Sequence, residues 1–256
     1  MEGIQLKSES RQIAIYNMIK SKREMSVNSL AEHFNVSPMT IRRDLDHLEQ
    51  SKLIYRSYGK AVVADENNPD MTFSLRETKN LALKQKIAIS ARQFLNDVQS
   101  IYVDGSSTVL ELMKLLPENR SYTIFTNSIA ALLLLQKNER ITTFIIGGFL
   151  CDDNNTLDDS TSDDIAKRIF VDATFTSCTG FSVNGTFNSG ISGSQIIRIM
   201  NRNSHKNYVL ADHTKFNCHG IFLLDTWDKI DAFITDQELE PSVLKILRSN
   251  GVDVIW

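Results

Sequence analysis

Apolar residues recur at helical spacing in three short runs near the start of the chain. Ile13, Tyr16 and Ile19 mark the inner face of a helix over 11–19. Val27, Leu30, Ala31 and Phe34 mark a second over 27–34, and Ile41, Leu45 and Leu48 a third running to about residue 48. Asn35-Val36-Ser37 separates the last two. Ser37 is a good N-cap and Pro38 suits the first helical position. A short helix, a tight turn and a helix opening Ser-x-x-Thr is the helix-turn-helix pattern. Two short β-rich runs follow, Leu53–Arg56 and Ala61–Val63, around Ser57-Tyr58-Gly59-Lys60. Three helices and a small β-ribbon make a winged helix.

Residues 64–70 are polar, acidic and broken by Pro69, which predicts a linker. Helical periodicity resumes over Leu81–Leu95 through Ile87, Ala91 and Phe94. Strands are then predicted over 99–104, 122–126, 142–146, 172–177, 208–211, 231–235 and 252–256. The first leads into an apolar helix reaching Leu116 and the second into a helix over Ile129–Gln136. Strands alternating with helices argue for an α/β fold with a mostly parallel sheet and helices on both faces. The expected boundaries are 1–63 for the winged helix, 64–72 for the linker and 73–256 for the α/β domain.

Composition refines this picture. Hydrophobic residues make up 42% of the chain, ordinary for a globular protein. No apolar run approaches a membrane span, and residues 1–10 are polar and mixed in charge, so a cytoplasmic protein is expected without a membrane partner. The net charge of -3 divides unevenly: residues 1–60 hold ten Lys/Arg and seven Asp/Glu, and the remainder eighteen and twenty-four. A positive head on an acidic body suits a modular DNA-binding protein. Three widely spaced cysteines, Cys151, Cys178 and Cys218, make neither a disulfide framework nor a zinc ribbon. Cys218-His219 lacks a second ligand pair at standard spacing. No cofactor and no metal are expected.

Two sets of residues carry candidate chemistry. The third helix presents Thr40, Arg42 and Arg43 near its N-terminal end, the end a recognition helix inserts into the major groove. The candidate DNA contacts are Ser37, Met39, Thr40, Arg42 and Arg43, with Arg56 and Lys60 on the ribbon. The second set lies at strand ends: Asp104-Gly-Ser-Ser-Thr108, Thr126-Asn127-Ser128, Gly147-Gly148, Thr179-Gly180 and Asp212 each follow a predicted strand. In an open α/β sheet such loops share the carboxyl edge where ligands bind. Gly-Ser-Ser-Thr leading into a helix can offer amides and hydroxyls to an anion. Single loops of this kind are also ordinary turns and caps; five of them together point to a ligand crevice.

Val36-Ser37, Thr40-Ile41-Arg42-Arg43-Asp44-Leu45, Leu48-Glu49 and Gly59-Lys60-Ala61 together resemble the DeoR family of bacterial sugar-catabolism repressors. The second half, across roughly 81–236, resembles that family's effector domain through Tyr-Val-Asp104-Gly-Ser-Ser-Thr108, Thr126-Asn127-Ser128, Ile-Ile-Gly147-Gly148 and Leu-Ala211-Asp212-His-Thr-Lys215-Phe216. The resemblance implies a domain similar in fold to ribose-5-phosphate isomerase that binds phosphorylated sugars. It implies a pocket lined by Asp104, Ser106, Ser107, Thr108, Thr126, Asn127, Ser128, Gly147 and Gly148, with Lys215 and Asp212 facing the ligand. The chain departs from the family in several places. Lys60 replaces a wing glycine, and Gly190-Ile191-Ser192 stands for Gly-Leu-Thr. The run after Gly148 lacks the usual Arg and continues into the acidic segment 152–164. Residues 193–198 lack the usual Glu and Lys-Arg pair.

The expected function is a repressor of a sugar-catabolism operon. Its partners would be a double-stranded DNA operator, a phosphosugar effector and a second copy of the chain, as homodimer or homotetramer. The competing reading is a sugar-phosphate isomerase or deaminase-like enzyme with an appended DNA-binding domain, using Asp104, Asp212 and Lys215 as acid, base and clamp.

Overall fold

The structure, a computed structural model, describes residues 8–22, 24–50, 54–57, 60–63, 73–151, 155–191, 193–218 and 220–256. The chain divides into two compact units, 1–71 and 72–256. The linker expected over 64–72 lies outside the described residues, as do Leu53, the ribbon tip Tyr58-Gly59, and His219.

The first unit runs α1 (Ser8–Lys22), β1 (Glu24–Ser26), α2 (Val27–Phe34), α3 (Pro38–Gln50), β2 (Ile54–Ser57) and β3 (Lys60–Val63). Ser26 caps α2 by accepting the Ser29 amide, and Asn35 ends it in the left-handed region at φ 51°. That conformation suits Asn and turns the chain sharply into α3. The ribbon gains a strand that the sequence did not announce: β1 pairs antiparallel with β3, and β3 with β2. Ile15, Ile19, Leu30, Ile41, Leu45, Leu48 and Ile54 form the core. The α1 face differs from expectation, since Ile13 is 62% exposed and Ile15 and Ile19 are fully buried. The cause is polar. Arg11 and Gln12 both donate to the buried Asp44 carboxylate on α3, at 2.6 Å and 3.2 Å. Residues 15 and 19 share the face of Arg11 at intervals of four, so this contact turns Ile13 outward.

The second unit runs α4 (Phe73–Thr78), α5 (Leu81–Ala91), β4 (Ser100–Val103), α6 (Ser107–Met113), β5 (Tyr122–Thr126), α7 (Ile129–Leu135), β6 (Ile141–Ile145), β7 (Phe149–Leu150) and β8 (Leu157–Asp158). It continues with α8 (Ser160–Ala166), β9 (Val171–Thr176), β10 (Gly180–Ser182), β11 (Gly185–Asn188), α9 (Ser194–Arg202) and β12 (Ser204–Leu210), then β13 (Phe222–Asp225), β14 (Ala232–Ile234), α10 (Pro241–Ser249) and β15 (Asp253–Ile255). The helix expected over 81–95 gives way to a 3-10 turn at Arg92–Leu95, and α6 stops at Met113 instead of Leu116.

Seven strands form one sheet in the order β15-β14-β12-β9-β4-β5-β6, every neighbouring pair parallel. Alternate residues feed opposite faces. Ile101, Val103, Ile124, Phe175 and Leu210 pack on one side with Ile87 and Ala91 of α5 and Val109 and Leu112 of α6. Tyr102, Val209 and Phe233 pack on the other with Ile196 and Met200 of α9 and Leu244 and Leu247 of α10. Both faces are covered, as a parallel sheet requires. Two small antiparallel additions, β7–β8 and β10-β11-β13, lie outside the expected alternation.

Candidate functional site

In the first unit, the Ser37 hydroxyl accepts the Thr40 amide at 3.1 Å and pairs with the Thr40 hydroxyl at 2.9 Å, which fixes the start of α3. Ile41, Asp44, Leu45 and Leu48 point inward. Ser37, Met39, Arg42 and Arg43 are exposed and Thr40 is half-buried. The two ribbon candidates have internal partners. Arg56 donates to the Arg42 carbonyl at 2.7 Å and the Asp46 carboxylate at 2.6 Å, and its amide donates to Glu49 at 3.1 Å. Lys60 pairs with Glu24 at 2.5 Å, bridging β3 to β1. Arg56 thus ties the ribbon to α3, and Lys60 closes the ribbon edge.

In the second unit, the chain runs outward from β4 through β5 to β6 on one side, and from β9 through β12 and β14 to β15 on the other. The β4–β9 seam is therefore the switch point of the sheet, where the loops at the carboxyl ends diverge, and such a switch point is where an open α/β sheet offers a ligand crevice. Asp104 follows β4 and is buried. Its carboxylate accepts the Ser106 amide at 3.1 Å and, across the seam, the Ser177 amide at 2.9 Å. Burial pushes its carboxyl above the ordinary range, opposed by those hydrogen bonds and by Lys215. Lys215 reaches the same place from the loop after β12. It donates to the Ser177 hydroxyl at 3.1 Å and the Cys178 carbonyl at 2.8 Å.

Asp212 is also buried and caps the 3-10 turn that carries Lys215, accepting the Thr214 amide at 3.2 Å. Burial alone would raise its carboxyl. Lys215, the Thr214 hydrogen bonds and Lys84 outweigh burial and hold it below the ordinary carboxylate range. Lys84 on α5 is 4% exposed and sits within this charge cluster. Burial first, then Lys215, lowers its ammonium to about 8.

The Gly-Ser-Ser-Thr loop is built as a cap: Ser106 accepts the Val109 amide at 3.2 Å. Ser107 and Thr108 are buried, and the Thr108 hydroxyl has no hydrogen-bond partner among the described residues. A Cβ at Gly105 would lie 2.1 Å from Thr156 Cγ2, so any larger residue there has to displace the Thr156 side chain. The other expected residues are engaged in holding loops. Thr126 accepts the Ser128 amide at 3.0 Å. Asn127 accepts from the Tyr102 hydroxyl at 3.0 Å and donates to the Leu157 carbonyl at 3.1 Å. Ser128 caps α7. The Gly147 carbonyl accepts from the Ser162 hydroxyl, and Gly148 lies against the Asp158 backbone.

The chain's organisation around the seam thus brings together Asp104, the Ser106–Thr108 loop, Asp212 and Lys215. Thr126, Asn127, Ser128, Gly147 and Gly148 form the flank beside them. Sequence reasoning missed Lys84, Asn80, Asn155 and Ser177. Asn155 is buried and donates to the Gly105 carbonyl at 3.0 Å and the Ser128 hydroxyl at 3.1 Å, joining two loops. Nothing in its local sequence signals that role. Among the described residues there is no His, Cys, Asp or Glu cluster able to hold a metal ion. Nor, among the described residues, is any helix long and apolar enough to cross a membrane.

Comparison with known proteins places both units in known domain families. Residues 11–67 match the model of the DeoR-like helix-turn-helix domain, and residues 79–237 match that of the DeoR C-terminal sensor domain. The HTH-type transcriptional regulator YulB of Bacillus subtilis is 29% identical over 95% of this chain and 95% of its own. The L-fucose operon activator of Haemophilus influenzae is 27% identical over 93% of this chain and 96% of its own. Ribose 5-phosphate isomerase A of Methanocaldococcus jannaschii superposes over 54% of this chain and 55% of its own, with 19% identity and a TM-score of 0.38. The two matched models follow each other along one chain and between them take in α3 and the β4–β9 seam: the chain belongs to the DeoR family of helix-turn-helix transcriptional regulators.

Proposed function

We propose that this regulator is a repressor of a sugar-catabolism operon whose affinity for its operator is changed by a phosphorylated sugar bound at the β4–β9 seam. The observation that carries the reading is the meeting of Asp104 and Lys215 on Ser177, a carboxylate and an ammonium held at one switch point. A carboxylate accepts from sugar hydroxyls, and an ammonium with nearby hydroxyls and amides takes a phosphate. Lys215, Ser107 and Thr108 are assigned to the phosphate side and Asp104 and Asp212 to the hydroxyls. Thr126, Asn127, Ser128, Gly147 and Gly148 act behind them as supports.

On DNA, Arg42 and Arg43 are the assigned readers, with Ser37, Met39 and Thr40 around them. Arg56 positions the ribbon against α3, and Lys60 ties β3 to β1. One winged helix covers little DNA, so a two-fold assembly reading paired half-sites in the cytoplasm completes the proposal. The proposed role of the site is binding without turnover, with the Asp104 carboxylate already engaged by two amides. The test is a thermal-shift screen of aldose and ketose phosphates on the purified protein. A true effector raises the midpoint with concentration and is recovered unchanged. If no phosphosugar shifts the midpoint, or if one is converted, the proposal fails.

A further inference from the structure

The chain reaches the second unit through α4 and the turn Lys79-Asn80 that leads into α5. This leading segment is pinned to the crevice at two points. The Lys84 ammonium donates to the Arg76 carbonyl and, at 2.6 Å, to the Lys79 carbonyl. Asn80, in the left-handed region at φ 50°, donates to the Thr214 hydroxyl at 3.2 Å and, at 3.5 Å, to the Asp212 carboxylate. Both pins end on the loop that carries Lys215 or on a charge that Lys215 feels.

Lys84 is an unusual anchor. An ammonium has three donors, and only two find acceptors among the described residues. It is buried, and the charges that act on it are, largest first, the Lys215 ammonium, the Asp212 carboxylate, the Arg76 guanidinium and the Glu111 carboxylate. Counting Lys84 itself, three cations share this corner with Asp212 and with Glu111, and Glu111 is already paired with Lys114. Its present partners are neutral carbonyls, which bind an ammonium more weakly than an anion does.

We propose that Lys84 and Asn80 form a ligand-operated latch: a phosphate group in the crevice draws the Lys84 ammonium off the Arg76 and Lys79 carbonyls and so loosens residues 76–80. The latch rests on the effector reading of the crevice and adds the route by which binding is felt outside it. Residues 76–80 connect α5 to the part of the chain that leads back to the helix-turn-helix unit, so a ligand that frees them acts where the two units join in sequence. The free energy for the change is the difference between an anionic and a neutral acceptor for one ammonium, a differential contact of the kind a population shift requires.

The experiment is hydrogen exchange on the full chain in saturating inorganic phosphate, against chloride at matched ionic strength. Binding is followed in parallel by the thermal midpoint. The latch predicts that phosphate raises the midpoint while exchange across residues 76–84 speeds up about tenfold, as expected for losing hydrogen bonds to a charged group. In Lys84→Met the same segment exchanges fast in both salts. Asn80→Ala, which keeps both ammonium groups, gives a smaller acceleration. If the midpoint rises but exchange across 76–84 in the wild type is unchanged or slowed, the latch is wrong and the crevice stands. If phosphate does not bind at all, the latch falls together with the anion-binding reading beneath it. The wild-type comparison decides the matter even if Lys84→Met does not fold.

Discussion

The Asp104 carboxylate and the Ser177 amide meet at 2.9 Å across the seam between β4 and β9. The contact joins the ends of two neighbouring parallel strands whose chains then run in opposite directions through the sheet. Lys215 grips the same Ser177 through its hydroxyl at 3.1 Å. Three loops from three strands therefore converge on one residue, and a few hydrogen bonds fix how they meet.

The glycines of the crevice divide by what surrounds them. Gly105→Ala puts a Cβ 2.1 Å from Thr156 Cγ2, whereas nothing lies within 4 Å of a Cβ added at Gly147. Gly105→Ala is expected to destabilise the protein by about 1–3 kcal/mol and to weaken ligand response, as overpacking displaces the loop. Gly147→Ala is expected to do neither. Thermal denaturation and ligand titration of the two variants check this.

Lys84 sets a pH dependence with a definite sign. Its ammonium titrates at about 8 in the folded chain against 10.5 ordinarily. Between those values the unfolded chain binds more protons, so stability rises with pH across that window. Urea melts from pH 7 to 11 should show wild type gaining relative to Lys84→Met, by an amount on the order of 3 kcal/mol. If phosphate uses the protonated lysine, its affinity falls as pH passes through about 8 in wild type. A flat difference between the two melts would contradict the burial of this charge.

Asp44 holds the first unit together from within. Its side chain is 3% exposed, and Arg11 lies 2.6 Å away. Asp44→Ala removes the buried carboxylate to which Arg11 and Gln12 both donate and should lower the stability of the first unit by about 3 kcal/mol. Operator binding is lost with it, through unfolding of α1 from α3. Denaturation followed by far-UV circular dichroism separates this from a lost DNA contact.

Much of this was legible in the sequence. The cap at Ser37, the apolar stripe Ile41-Leu45-Leu48 and the strand-loop-helix rhythm after residue 99 depend on neighbours a few positions apart, and local pattern carries them. The bounds of β5, Tyr122–Thr126, follow the pattern residue for residue. What escaped depends on distant partners. Ile13 faces outward because Arg11 answers Asp44, 33 residues away. Asn155 joins Gly105, 50 residues away, and Ser128, 27 away. Lys84 looks like any solvated helix lysine until α5 packs against the sheet. The β10-β11-β13 sheet escaped because its strands are short and interrupt a parallel pattern with an antiparallel one.

The arginines of the first unit are expected to separate by role. Arg42 and Arg43 are exposed, while Arg56 is bonded to Arg42 and Asp46. Arg42→Ala or Arg43→Ala should weaken operator binding by about 1–3 kcal/mol with an unchanged melt, one relaxing specificity at a base pair and the other flattening the salt dependence. Arg56→Ala should lower the melting temperature as well. Binding isotherms at several salt concentrations, beside melting curves, read the difference.

The central claim is that the seam senses a phosphosugar and passes that information to DNA binding. The direct measurement is operator affinity of wild type and Lys215→Ala, each with and without a saturating phosphosugar found in the thermal-shift screen. The account predicts equal operator affinity without ligand, because α3 is untouched. It predicts a ligand-induced change in wild type, and in Lys215→Ala a half-effective concentration raised at least about tenfold, or no response, since a charge-assisted contact is gone. A Lys215→Ala protein whose operator affinity responds at the wild-type concentration would contradict it.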